Sequence, residues 1–598
     1  MYHHLLLIVI LFAAVLSGGC AAGKTGTAGK AKVRKDSFYV IFDKKFKRED
    51  ARSASVKGEL SGKKHFFTLS DKQEFNLAKL CGTYTPIKDA AIVSFEITAP
   101  ADGVYTLGLG ADFWYTCYLN GKLVGTTEPK GEPAEIPSYL NSHWQVRLKK
   151  GANRFFAHTR PGIGSWNFSC GLLPDLNNWP ESHAARLALF QRAFPQKEKM
   201  LGPFVTHVST DKAFISFEYS KNIAASLRYW IDGKKGKSHE LSDLPLYGMV
   251  PRKKIHRFEL KGLQSGKKYH FEIFDRERIP GKLSSGSFTT LPDQGISHVM
   301  TAISDTQTAD TSRENLVRDL VKKGVFKNTD LLVSLGDVTS TFFHFNNHYF
   351  ESFLIPFKQE GVTVPFYPVR GNHEYRGHDT DKFIRYFGCP YYAFRYGKVL
   401  YIVLDTGEDK PRLLKDGHYT LLTDTRKHFQ EQKKWLQQLI QSDMCKTAEK
   451  RIVLAHATPF EWESQYYAQN IASFASVFYG KNPECSIDLW LCGDIHSPYR
   501  FDPVTKKLSG AVRKPSVKRP CRLTENDLKN IHFPVYVNDG PRGAGKNFSV
   551  TRIEVKKDGL LLTCTGDDGV VMDQIVIRKG KPFEVRQSIY KKYIPMKK

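Results

Sequence analysis

Five short apolar runs, each stopping at a residue able to hold a metal, constrain this chain most. Residues 299–303 run into Ser304-Asp305-Thr306-Gln307, and 331–335 into Gly336-Asp337. Residues 365–369 lead to Arg370-Gly371-Asn372-His373-Glu374, 452–455 to His456, and 487–492 to Gly493-Asp494-Ile495-His496. Helical periods lie between them. Leu316, Val317, Leu320 and Val321 make an apolar face after a candidate N-cap at Ser312 and before Gly324. Trp435, Leu436, Leu439 and Ile440 make another over 431–442. Apolar runs alternating with helical periods predict an α/β domain from about residue 296. In such domains ligands sit beyond the carboxyl ends of the strands, so five polar strand ends predict one cluster assembled from distant segments. One Asp after a strand is usually a turn or cap residue; Asp, Asn and His at five ends in succession are not accounted for that way.

The order Asp-x-Gln, Gly-Asp, Gly-Asn-His-Glu, a single His and Gly-Asp-x-His resembles the calcineurin-like metallophosphoesterases over roughly residues 296–580. Their pattern reads Asp-x-His, Gly-Asp, Gly-Asn-His-Asp/Glu, His and Gly-His-x-His. The resemblance implies an α/β four-layer sandwich that hydrolyses phosphate esters with two divalent metal ions. By position, Asp337 bridges both metals. Asp305, His496 and Gln307 serve the first, and Asn372, His456 and Asp494 serve the second. His373 stays off the metals and serves as the catalytic group that protonates the leaving oxygen or stabilises its charge. Arg370 either binds substrate phosphate or pairs with a neighbouring carboxylate; the two readings stand even. The loop 342–348, with His344 and His348 among aromatic residues, is read as packing.

The residue types suit the chemistry. A phosphoester is shielded by its own negative charge, and two divalent ions neutralise that charge, orient the phosphoryl group and acidify a bound water. Gln307 and Asp494 stand where the family has histidine, and Ser340 stands where purple acid phosphatases carry a tyrosine, so no iron–tyrosinate chromophore is expected. The inferred set then holds carboxylates at Asp305, Asp337 and Asp494 against imidazoles at His456 and His496. Oxygen-rich sites suit manganese or magnesium better than zinc, with iron admissible.

The N-terminus bears on location. Residues 5–16 are twelve consecutive apolar residues, too few for a membrane span of about 20 and suited to a signal-peptide core. Leu16-Ser17-Gly18-Gly19-Cys20 resembles the bacterial lipoprotein box, which implies a signal peptide over 1–20 and a lipidated Cys20. An ordinary cleaved signal with an incidental Cys is the alternative. Residues 21–35, small and basic, are read as a flexible tether. The expected location is the bacterial cell envelope, on the periplasmic or outer face. Lys and Arg exceed Asp and Glu by 27, which favours anionic neighbours such as phosphates, lipid headgroups, acidic glycans or nucleic acid; a solvated basic surface accounts for the excess at least as well. Ten cysteines without a Cys-x-x-Cys pair argue against a disulfide scaffold or a thiolate zinc site.

Two all-β sandwiches are expected ahead of the α/β domain. Over 36–178, period-two alternation is broken by Asn120-Gly121, a strong hairpin signal. With Ala111-Asp112-Phe113-Trp114, Tyr118-Leu119-Asn120-Gly121-Lys122 and a Gly-Ala-Asn-Arg turn, this segment resembles galactose-binding-like jelly rolls. Trp114, Trp144 and Trp166 could stack on a sugar, though packing is the commoner use of tryptophan. A linker helix is expected over 179–198. Residues 199–292 are similar to the fibronectin-III-like domain preceding the catalytic domain of purple acid phosphatases, and are read as a spacer. The last residues, 581–598, are read as a basic tail. Taken together, the chain is expected to be an exported, lipid-anchored, metal-dependent phosphoesterase. The rival is a surface glycan-binding lipoprotein whose degenerate phosphoesterase domain is inactive.

Overall fold

The computed structural model describes residues 31–70, 74–81, 90–111, 113–128, 139, 142–161, 166–172, 200–242, 248–278, 281–307, 311–339, 342, 349–360, 362, 364–377, 379–408, 425–460, 471–480, 486–496, 499–510, 528–538, 549–566, 569–589 and 592–593. The leader expected over 1–20 with Cys20, the linker helix expected over 179–198, Ser340 and residues 343–348 lie outside them.

The first unit is a β-sandwich. One sheet runs His65–Phe66, Tyr39–Phe42, Ala91–Ala99, Gly151–Pro161, Phe113–Leu119, Lys122–Thr126, with Lys32–Val33 also paired to Ala91–Ala99. The other runs Glu74–Asn76, Asn167–Leu172, Gly103–Ala111, Ser142–Leu148. Alternate residues of both sheets, among them Phe38, Phe95, Leu107, Phe155 and Phe168, meet in one core. Asn120 (φ 50°) and Gly121 (φ 75°) make the tight turn between Phe113–Leu119 and Lys122–Thr126, as their dipeptide predicts. Two of the tryptophans offered to a sugar are spent on packing. Trp166 is fully buried, with its indole N–H on Thr159 Oγ1 at 3.2 Å. Trp114 is buried beneath the Arg160 guanidinium, 4.7 Å from its ring. The half-buried Trp144 donates to Tyr115 Oη at 2.8 Å.

The second sandwich is not a detached spacer. One of its sheets, Lys253–Lys261, Lys212–Ile223, Met200–Thr206, continues into Phe366–Pro368 through a parallel pairing of Thr206 with Phe366. The same ten-stranded sheet then runs on through Leu331–Ser334, His298–Ile303, Ser549–Lys556, Gly559–Gly566, Val571–Ile577 and Glu584–Ser588. Pairing covers an edge that would otherwise expose unpaired backbone. Side chains reinforce the seam: Tyr367 Oη donates to Val208 O at 2.7 Å, and Tyr386 Oη donates to Glu218 Oε2 at 2.6 Å.

Facing this sheet is an eight-stranded one: Tyr392–Tyr396, Val399–Val403, Lys450–Leu454, Leu489–Cys492, Val535–Val537, Tyr499–Asp502, Lys507–Gly510, Lys592–Tyr593. Along each central strand the alternate residues divide between two cores. Leu331, Val333, Tyr401, Val403, Ile452 and Leu454 fill the gap between the sheets. Leu332 turns outward to Val317, Leu320, Phe353 and Phe357, while Leu400, Ile402 and Val453 turn outward to Leu436 and Leu439. The first of these helices spans Thr311–Lys322, so Ser312 lies inside its first turn and is not its cap. Gly324, with φ +74°, follows its end, where Val325 N–H returns to Leu320 O. Residues read as a basic tail contribute two strands, Glu584–Ser588 and Lys592–Tyr593, because each finds an edge with an open hydrogen-bond row.

The shared sheet predicts one folding unit from residue 200 onward. A chain beginning at 200 is expected to melt in a single transition by scanning calorimetry, whereas one beginning at 296 exposes the Phe366–Pro368 edge and is expected to aggregate. Two resolved transitions in the longer chain would contradict this.

Candidate metal centre

The strand ends do not merely stop; they turn sharply. Nine described non-glycine residues have positive φ, and five of them belong to the sequence-predicted set: Asp305 (52°), Gln307 (38°), Asp337 (53°), Asp494 (72°) and His496 (51°). Such conformations cost about 1–3 kcal/mol each and persist only where surroundings hold them. Here the loops hold one another. Asp305 N–H donates to Gly336 O at 3.0 Å, Gln307 N–H to Asp337 O at 2.8 Å, and Gly493 N–H to His456 O at 2.8 Å. Glycine is required where they touch. A Cβ on Gly336 (φ +95°) would stand 2.7 Å from His456 Nδ1, and one on Gly371 would stand 2.3 Å from Asp337 Oδ1.

The result is a buried cluster around Asp337. One ligand atom from each of Asp305, Asp337 and His456 lies within 4.8 Å of the others. His456 Nδ1 sits 2.7 Å from Leu335 O, so its Nδ1–H donates there and Nε2 turns inward. Nε2 then faces Asn372 Oδ1 at 2.9 Å, Asp337 Oδ1 at 3.2 Å and Asp494 Oδ1 at 3.6 Å. Protonated, it donates to these oxygens. Neutral, its lone pair confronts theirs, a repulsion that a divalent ion held by these residues would relieve. On the other side of Asp337, the Gln307 amide lies 3.4 Å from Oδ2, and His496 Nε2 lies 3.8 Å from Asp305 Oδ1. Asp305 Oδ1 is buried with no hydrogen-bond partner, as a ligand oxygen would be. All seven predicted ligand residues therefore converge, in two groups sharing Asp337.

The electrostatics are those of packed acids. Burial, with Asp337 and Asp494 adding to it, pushes the Asp305 carboxyl well above the carboxylate range, against the pull of His456. Burial also pushes Asp337 upward, but His456, His373 and Arg376 outweigh it and hold that carboxyl far below the usual range. His456 feels burial as a downward pull, which Asp337 and then Asp494 overcome, leaving the imidazole well above the histidine range.

His373 opens the short 3-10 turn His373–Tyr375, and its N–H donates to Asp337 Oδ1 at 2.9 Å. Its Nε2 lies 3.7 Å from Asp337 Oδ2. Arg376 Nη1 rests 2.6 Å from His373 Nε2 and 3.0 Å from Nδ1. Arg370 reaches neither group. Its guanidinium stacks 3.6 Å over the Tyr375 ring with Nη1 at 3.9 Å from Asp405 Oδ2, while its Nε is buried without a hydrogen-bond partner.

Three supporting residues escaped the sequence reading. The fully buried Glu374 accepts from Asp337 N–H, Val338 N–H and Gly371 N–H, each at 2.8 Å, and from Thr339 N–H at 3.2 Å. It thereby clamps the Gly-Asp loop to the Gly-Asn-His loop; burial, then the charge of Asp337, push its carboxyl up to about 7. Glu408 holds Arg376 through two contacts at 3.2 and 3.3 Å. Asp405, at a sixth strand end, accepts from Tyr375 Oη at 2.8 Å and faces His428 Nε2 at 3.1 Å. Glu374 was visible as the fourth residue of the Gly-Asn-His-Glu motif; Glu408 and Asp405 had no signal beyond following an apolar run.

Residues 299–498 match the family described as calcineurin-like phosphoesterase. Among solved structures, the chain is similar to PhoD at 12% identity and a TM-score of 0.42, covering 65% of this chain and 92% of that one. It is similar also to purple acid phosphatase PPD1 from yellow lupin (Lupinus luteus) seeds at 14% identity and a TM-score of 0.43, covering 82% and 93%. No curated protein matches it.

The shifts predict how chelation acts. Asp305, raised, and His456, raised, both contribute stability that is lost as pH climbs toward and through their folded values. Asp337, lowered, contributes stability already complete above about pH 4. Metal-free protein is therefore expected to lose stability from pH 5 to 8, and the melting-temperature gain on restoring metal is expected to widen over that window. A gain independent of pH in calorimetry would contradict the assignment.

Proposed function

We propose that this chain, whose residues 299–498 are of the calcineurin-like phosphoesterase family, is an exported, metal-dependent hydrolase of phosphate esters. The observation carrying the reading is the convergence of seven potential ligands in two groups around one buried carboxylate. Asp305, Asp337, His496 and Gln307 would hold one divalent ion; Asp337, Asn372, His456 and Asp494 would hold the other, within a four-layer sandwich. When bound, the ions neutralise phosphoryl charge and acidify water.

The chain's own residues do the rest. Asp337 keeps the two groups in register because its carboxylate faces both. Gln307, whose amide N–H donates to Asp337 Oδ2 at 3.4 Å, would offer an uncharged amide oxygen on turning that amide, or no ligand. His373, held by its backbone N–H on Asp337, presents Nε2 beside the bridging carboxylate, to protonate the departing ester oxygen or stabilise its charge; Arg376 can only donate to that nitrogen, at 2.6 Å, so the ring carries a proton there only once it turns from Arg376. Arg376 is itself locked by Glu408, so it positions the ring. The rival glycan-binding reading loses its best carriers, since Trp114 and Trp166 lie buried.

His373→Ala is expected to lower turnover of an aryl phosphate by about 10²-fold or more with metal content unchanged. Poor leaving groups are expected to suffer most; loss of metal would make His373 a ligand instead. In the same assay, apo-protein reloaded with manganese is expected to outperform that reloaded with zinc, and Gln307→His with Asp494→His is expected to reverse the preference.

We place the protein at the cell envelope through an acylated Cys20, with the basic segment after it against anionic lipid. Cys20→Ala is expected to shift full-length protein from the membrane to the soluble fraction on cell fractionation. Wild-type protein found soluble after export would refute the anchor.

A further inference from the structure

A share of the charge surplus of +27 gathers away from the metal centre, at the opposite end of the same strands. Lys450–Leu454 and Leu489–Cys492 lead at their carboxyl ends to His456 and Asp494. Their amino ends open on a cavity of about 410 Å³. At about 3.3 Å per residue, the six steps from Lys450 to His456 put the cavity roughly 20 Å from the metal ligands. Apolar residues next to both sheets line its wall. Ile487 and Pro534 come from one side, and Leu560 and Ile577 from the other.

The rim is strongly one-signed. Lys450, Lys506, Lys529, Arg578, Lys579 and Lys581 line it, six cations against a single carboxylate, Asp488. That carboxylate is committed, since its Oδ2 accepts from Arg451 N–H at 2.9 Å. Burial pushes it upward, against the Arg451 N–H and the charges of Lys450 and Lys579, so Asp488 compensates part of the rim. Lys506 donates to Ile531 O at 3.0 Å, and Arg578 pairs with Glu584. Lys450, Lys529, Lys579 and Lys581 form no ion pair among the described residues. Like charges held together around a concave, partly apolar wall raise the local potential and favour an anion that spans them. A single monovalent anion would leave most of the rim uncompensated. The volume lies within the range of small-ligand sites.

We propose that this cavity is a second ligand site, separate from the metal centre, for a molecule bearing two or more phosphate groups. The site stands whether or not the metal centre hydrolyses phosphate esters, because binding is read directly.

The probe is tripolyphosphate, titrated calorimetrically into metal-loaded full-length protein in buffer containing excess manganese. A binding event that aryl phosphate does not displace is expected. Lys579→Glu with Lys581→Glu, both exposed, is expected to weaken it about tenfold or more while leaving aryl-phosphate turnover unchanged. Lys529→Glu, exposed on another segment, is expected to weaken it independently. Binding that is absent, fully displaced by aryl phosphate, or unaltered in both variants would overturn the proposal. A vesicle arm separates the sources of phosphate. If the Cys20→Ala chain sediments with vesicles containing cardiolipin, a lipid with two phosphates, but not with phosphatidylcholine alone, and the lysine changes abolish this, the ligand is a lipid headgroup. Tripolyphosphate binding without vesicle binding makes it a free polyphosphate.

Discussion

Everything near the centre depends on one buried carboxylate, Asp337, kept ionised among other acids. Desolvation alone would neutralise it, and His456, His373 and Arg376 reverse that. An imidazole can compensate one face of a carboxylate, and here His456 does so while also facing Asn372 and Asp494. The opposite face looks toward Asp305, Gln307 and His496, where an unpartnered carboxylate oxygen and a raised acid show charge still to be compensated. In the proposed reading, a divalent ion on each face would satisfy both demands.

Holding acids together against repulsion requires a stiff frame. Five left-handed residues at strand ends store strain, at about 1–3 kcal/mol each. Glu374 offsets part of it by accepting four backbone N–H donors from two loops. Beneath the loops lies a core of interdigitated apolar side chains between two sheets, and one of those sheets continues into the preceding sandwich. That sandwich therefore buttresses the Phe366–Pro368 strand, which delivers Asn372 and His373.

The same frame presents two functional ends. Parallel strands gather acids and imidazoles at their carboxyl termini and lysines at their amino termini, with the apolar middle of each strand between them. The proposed anion cavity and the proposed metal cluster thus lie at opposite ends of one layer, with opposite charge.

Much was legible in the sequence. Apolar runs ending in Asp, Asn and His located the five strand ends, since periodicity is a local property and polar residues after buried strands have few structural uses. Asn120-Gly121 marked its hairpin for the same local reason, needing positive φ at both places. What local pattern cannot contain is pairing between distant segments. Thr206 beside Phe366, which turns an expected spacer into part of a continuous sheet, is such a case. So are the strands at 584–588 and 592–593, where basic composition hid edge pairing. That Arg370 lies over Tyr375 beside Asp405 is likewise a tertiary contact no local pattern contains. The kinds of residue that could bind metal were thus determined by the sequence alone. Which of their atoms face one another, at what separation and in what charge state, was decided only by tertiary structure, because distance and desolvation belong to the assembled molecule.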